Sequence, residues 1–317
     1  MSDYRRAGFL LLGVAVLRIA AEFVLPLVYK GSELLQLYAL STLLVSIGAI
    51  YLPTLLFMRR KEPPAYGRLR VNIPTIIWSV LLGWGLFQLS SGINALLSLG
   101  YDALGARSYG LQMPPTHGWR LPAVLLLLTV VPAITEEQFF RGALLSSWRP
   151  MGRCKASLLC AIVFSLMHFQ PLSIPAILLI GYVIGIVAFD TGSVYPAMIV
   201  HGVNNLAATL MSVAGEAAGA SAAAVTNEQL LMGIASYIVF GSVITVLTMR
   251  RLRAVQKSAS GKSSGGSAPA EEQGQLKLHV EEPRKRERGL VFPLSLAFLI
   301  FFAMNAVMLA VNFGWIK

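Results

Sequence analysis

The sequence predicts an all-α fold, a polytopic membrane helical bundle of eight core spans with a ninth span at the C-terminal end. Three observations predict it. Of the 317 residues, 56% are hydrophobic and only 13% are charged, about half the charged share of a soluble domain, roughly 25%. Apolar runs of ~20 residues, the length that crosses a bilayer as helix, recur along the whole chain. The net charge of +11 gathers in short basic blocks at the ends of those runs, the pattern that encodes membrane topology and not one that grips nucleic acid.

The first span, about 8–29, follows Arg5 and Arg6 and is interrupted by Arg18 and Glu22, an i,i+4 pair. No small-residue cleavage site follows it cleanly, so it reads as a retained helix and not a signal peptide. Further spans are expected at about 34–57, 72–98, 120–148, 155–170, 173–190, 193–213, 229–249 and 290–314. With the N-terminus in the cytoplasm, 20 of the 26 Lys and Arg fall inside. They are Arg5 and Arg6, the cluster from Arg59 to Arg70, Arg149, Arg153, Lys155, and ten between Arg250 and Arg288. Only Lys30, Arg107, Arg120 and Lys317 remain outside. The reverse orientation inverts that balance, so an N-inside topology is expected.

Three units result: a membrane core over 1–249, a cytoplasmic linker over 250–289 and an added helix over 290–317. The linker reading rests on the Ser, Gly and mixed-charge composition from Ser258 to Arg288, which cannot bury a core. Cys154 and Cys160 lie six apart and read as free thiols. Gly181 and Gly185 have the small-xxx-small spacing of closely packed membrane helices. Asp190 reads as a boundary charge, and His117 and His279 fall in loops with no assigned role.

An ionisable group in a span is costly and marks a functional site. The fourth span carries Glu136, Glu137 and Arg141, the fifth ends near His168, and the seventh carries His201, Asn204 and Asn205. Counted from the cytoplasmic ends of their helices at ~1.5 Å per residue, Glu136, His168 and Asn205 all lie roughly 20 Å deep. Their depths permit one shared site. Glu137 and Arg141 stand four apart and share a face, while Glu136 points ~100° away. Pro132 has no N–H for the carbonyl four residues earlier, and a water-filled cavity is expected to satisfy it.

Glu136-Glu137-Gln138-Phe139-Phe140-Arg141 reads EExxxR, Phe164 to His168 reads FxxxH, and His201 to Asn205 reads HxxxN. In this order, on successive apolar spans, they resemble the CAAX protease and bacteriocin-processing (CPBP, or Abi) family, which includes the type II CAAX prenyl endopeptidases. The resemblance covers roughly residues 120–213. It implies Glu136 as general base, His168 as the group that helps hold and activate the water, and His201 and Asn205 as the oxyanion-stabilising pair. It also implies Glu137 and Arg141 as the ion pair that fixes the helix, with Phe164 supporting. Asn204 sits almost as well as Asn205 on the helix face, and only the motif selects between them.

The reading that follows is an intramembrane hydrolase, a glutamate-dependent endopeptidase without a cofactor, acting on a membrane-associated peptide or protein, with the lipid bilayer as its other partner. A zinc ion held by Glu136, His168 and His201 is the alternative, although no HExxH motif is present. A non-proteolytic scaffold or immunity factor is a second functional class. An ion- or proton-coupled transporter is a third, weakened by the absence of repeated broken helices in two halves.

Overall fold

The computed structural model describes residues 3–30, 33–59, 71–106, 116, 118–218, 226–263 and 291–316. Among these residues the regular structure is helical and no strand occurs. Nine helices run in chain order: α1 (Asp3–Val28), α2 (Leu34–Arg59), α3 (Ile73–Ala103), α4 (Arg120–Met151), α5 (Arg153–Leu166), α6 (Ile174–Thr191), α7 (Tyr195–Ala218), α8 (Asn227–Ser263) and α9 (Val291–Asn312). Eight are long and apolar enough to cross a membrane. Arg60, Lys61, Arg68, Arg70, Arg107, His117, Lys317 and the part of the expected linker from 264 to 289, His279 included, lie outside the described residues.

Two expectations are revised. The fifth span, expected over 155–170, is a helix of only 14 residues, about 21 Å long and short of the ~30 Å hydrocarbon core. It ends at Leu166, because Gln170 and Pro171 follow closely and His168 lies in the intervening turn. The eighth helix does not stop at 249 but continues to Ser263, carried by the Arg, Ala, Gln and Lys of the segment, all good helix formers.

Local chemistry sets the helix ends that position the site. Asn72 caps α3 by accepting from the Thr75 N–H (2.9 Å), with Pro74 in the first turn. Gly152, at φ +87°, turns the chain from α4 into α5, and Gly192, at φ +63°, ends α6. α4 is not a regular α-helix. It widens to π spacing at Leu126–Val130, just ahead of Pro132, and again at Gln138–Leu145, just after the paired glutamates. Such wide turns recur at functional sites.

The core lies where α1, α4, α5 and α6 meet, with α3, α7 and α9 packed against it. α5 packs on α6, α7 on α3, α8 along α3, and α9 against α1. The α5–α6 seam is close: a Cβ added at Gly181 would stand 3.0 Å from the Phe164 ring, and one at Gly185 would stand 3.1 Å from Ser157. At the α4–α5 and α6–α7 turns, Asp190 accepts from Arg153 at 2.5 and 2.7 Å and lies 3.4 Å from Arg253. It therefore ties α5, α6 and α8 together, a boundary charge with three helices to hold. Arg18 and Glu22 of α1 form the ion pair their spacing predicts.

Candidate active site

Glu137 is the centre of the buried polar network. Its Oε1 accepts from Arg141 Nη1 at 2.8 Å and from His201 Nδ1 at 2.8 Å. Glu137 and Arg141 are fully buried and His201 is 3% exposed. A carboxylate only accepts, so His201 carries its proton on Nδ1, leaving Nε2 on the far side of the ring. Arg141 Nη2 donates to the Gly181 carbonyl of α6 at 2.9 Å. Its guanidinium lies over Phe164 (4.9 Å) and Phe140 (5.6 Å). Three helices are thus joined through one guanidinium and one carboxylate.

Glu136 is placed differently. It is half-buried, and its Oε2 is buried without a hydrogen-bond partner. Glu137 Oε2, Arg141 Nε and Asn204 Oδ1 are buried in the same way. Orphaned buried polar atoms are rare and each needs an explanation; here four of them belong to two of the three motif segments, 136–141 and 201–205.

His168 stands just past α5, half-buried, with Nδ1 on the Phe164 carbonyl at 2.7 Å. The carbonyl accepts, so Nδ1 is the protonated nitrogen and Nε2 is left as an acceptor. Phe164 lies between the two imidazoles, with ring centroids 4.6 Å from His168 and 5.7 Å from His201, both edge-on. The next residue, Phe169, has φ +52°, a left-handed backbone that side chains other than Gly seldom adopt.

Asn205 Nδ2 donates to the Leu128 carbonyl of α4 at 3.4 Å. By α-helical count that is the carbonyl four residues before Pro132, in the stretch where α4 takes π spacing. The sequence led us to expect a water-filled cavity there; the partner is a carboxamide from α7. Asn204, buried, donates its Nδ2 to Asn205 Oδ1 at 3.3 Å. Both asparagines therefore belong to the same junction, and Asn205 is the one that reaches α4.

The contact between His201 and Glu137 was not foreseen, nor was the Gly181 carbonyl as a partner of Arg141. The first had a signal. Glu136 and Glu137 diverge by ~100°, so only one of them can face α7. The second had none, since a backbone acceptor is invisible in a side-chain pattern. Among the described residues no group of three His, Cys, Asp or Glu is drawn together to hold a metal ion; Glu136, His168 and His201 do not converge as such a set. A cavity of about 550 Å³ opens between α3, α7 and α8, bordered by Phe87, Ala208, Gln229 and Tyr237. It begins one turn beyond Asn204 and Asn205 along α7 and does not include the motif residues.

Residues 118–207 match the family model described as type II CAAX prenyl endopeptidase Rce1-like. Over this segment, less than a third of the chain, the protein is similar to that family. All three motifs lie within the Rce1-like segment, as do α5, α6 and the first half of α7. None of the curated proteins and none of the solved structures matches the chain. At the level of the family, the Rce1-like match supports a CAAX-protease-type membrane peptidase. The eight apolar helices make the chain an integral, multi-pass membrane protein.

Proposed function

We propose that the chain is an intramembrane endopeptidase, hydrolysing a peptide bond of a membrane-associated or lipidated peptide or protein with water activated by Glu136. One observation carries the reading: both carboxylates keep a buried Oε2 without a partner, but the other oxygen of Glu137 is held by Arg141 and His201, while among the described residues no hydrogen bond reaches Glu136. A carboxylate with a free lone pair can take a proton from water. One already bound by an imidazole and a guanidinium is a poor base.

Glu136 accepts the water proton, and His168, its Nδ1–H held by Phe164, offers Nε2 as a second acceptor for the same water. The hydroxide adds to the carbonyl carbon of the substrate. His201, when protonated, offers Nε2–H to the oxyanion, and Asn205 offers Nδ2–H. The long bond from Asn205 to Leu128 is the one given up for that purpose. Glu136 then returns the proton to the leaving nitrogen as the C–N bond breaks. Glu137 and Arg141 act by holding His201 and α6 in register. The basic-residue balance puts the N-terminus on the cytoplasmic side, and no cofactor enters this route.

The test compares membranes containing the wild-type chain with membranes containing Glu136→Gln, by proteomics of C-terminal and internal peptide ends. A precursor accumulates in the variant and is cleaved by purified wild-type protein. Cleavage by purified Glu136→Ala at the wild-type rate would remove Glu136 as the base.

A further inference from the structure

The matched segment ends at residue 207, yet α9, more than 80 residues later, reaches back to it. Asn305 is a buried carboxamide within α9, whose other polar residues are Ser295 near its start and Asn312 at its end. Its Nδ2 donates to the Leu166 carbonyl at 2.8 Å and to the Phe301 carbonyl of its own helix at 2.8 Å. Both partners are acceptors, so the amide orientation is fixed: the NH2 must face them, and Oδ1 is the atom left buried without a partner. Leu166 is the last residue of α5, and its carbonyl also takes the Phe169 N–H at 3.3 Å, so Asn305 and the turn meet at one acceptor. Two residues on stands His168.

The same turn is held from two other sides. Phe301 of α9, fully buried, packs on Phe169 with ring centroids 6.1 Å apart. Arg18 of α1 lies over the opposite partner of that contact, its guanidinium 4.9 Å from the Phe169 ring. Phe169 is the residue with φ +52°, a conformation that persists only where surrounding packing over-determines it. α9 can take this place because it lies along α1 in parallel. Pro293 packs at Gly8 near one end, and Phe301 and Arg18 meet Phe169 some ten residues further on.

We infer that α9 positions His168: Asn305 caps the end of α5 and Phe301 buttresses the strained Phe169, so that the intervening imidazole is presented in one orientation. This rests on the proposed hydrolytic site for its kinetic consequence, though not for its structural one. Asn305 touches none of the reacting groups and is a positioning residue.

The experiment uses the full chain in detergent micelles with 15N-labelled histidine. The chain has four histidines, so single His→Gln variants assign the His168 signals. In the wild type His168 shows the Nδ1–H tautomer alone. Asn305→Leu, which keeps the branched shape and removes the donor, converts it to a mixture of tautomers. With a cleavable peptide, kcat falls roughly tenfold or more while KM stays within about twofold, as expected when a reacting group is misplaced and binding is kept. A merely structural role for Asn305 would lower the melting temperature and leave the folded protein with wild-type His168 signals and kcat; that result overturns the inference. Should Asn305→Leu fail to fold, Phe301→Leu, a milder change in volume, carries the same two readouts with the same meaning. If the wild type cleaves nothing, the hydrolytic reading fails while the tautomer measurement still decides the role of α9.

Discussion

The buried pair of Glu137 and Arg141 makes a prediction in which stability and activity separate. Arg141→Met removes the guanidinium and keeps most of its volume. Glu137 is left as a buried anion whose remaining partner is His201, and the Gly181 carbonyl loses the donor that reached it from α4. Removing one member of a buried ion pair costs about 3–5 kcal/mol, and Gly181, inside α6, keeps its helical donor, so the expected loss is ~3–5 kcal/mol. Glu137→Leu should cost a similar amount, since it strands a fully buried cation. The double variant Glu137→Leu/Arg141→Met removes both charges and should recover most of the loss, because an apolar replacement of a buried pair is close to neutral. Equilibrium unfolding in mixed micelles, as a double-mutant cycle, reads these energies. Activity divides otherwise. Arg141→Met keeps the 2.8 Å contact between Glu137 and His201 and should retain turnover at temperatures where it is folded. Both variants lacking Glu137 should lose it, the stable double variant included. Additive single losses, or a double variant as active as Arg141→Met, would refute the assignment of Glu137 as the holder of His201.

Asn205→Ala should destabilise modestly, by about 1 kcal/mol, because the bond it removes is long, and should reduce kcat much more than KM in peptide hydrolysis. Gly181→Val should both weaken the fold and lower activity, since even a Cβ there meets the Phe164 ring at 3.0 Å; an active, stable Gly181→Val protein would show that α5 and α6 have freedom the packing denies them. Activity should survive treatment with a chelator, measured on the purified chain; loss restored by added zinc would move the water from Glu136 to a metal.

Most of the architecture was readable from apolar run length, because lipid permits few alternatives to a helix of ~20 residues. Where the reading failed, composition was blind to length or to context. α5 carries an apolar stretch like the others, but Gln170 and Pro171 stop it early, and His168 falls in a turn and not within a span. The helix from 250 to 263 was missed because a charged, Ser-rich segment cannot bury a core, whereas it can still extend a helix already nucleated within the membrane. At the site, the pairing of Glu137 with Arg141 was plain from i,i+4 spacing. The partners that cross between helices, His201 to Glu137, Arg141 to Gly181 and Asn205 to Leu128, depend on rotation of each helix about its axis, and a linear pattern leaves that rotation undetermined. Asn305 was the hardest to see: its partner is a backbone carbonyl 139 positions away.

Two neighbouring glutamates on one helix raise the question of why both are needed. A fully buried carboxylate such as Glu137 stays charged only with partners, and partners make it a weak base; Glu136 is only half-buried and is not bound by that choice. Placing the two side by side, ~100° apart, resolves the conflict. Glu137 turns to α7 and takes the cation and the imidazole; Glu136 turns elsewhere with an oxygen free. Because the two share a backbone, the network that locks Glu137 also fixes where Glu136 points, and the free carboxylate needs no anchor of its own. The exchange Glu136→Gln is then expected to leave stability nearly unchanged while abolishing turnover, in contrast to any change at Glu137. A large loss of stability in Glu136→Gln would mean that both glutamates are structural, and the hydrolytic site would have to be sought elsewhere.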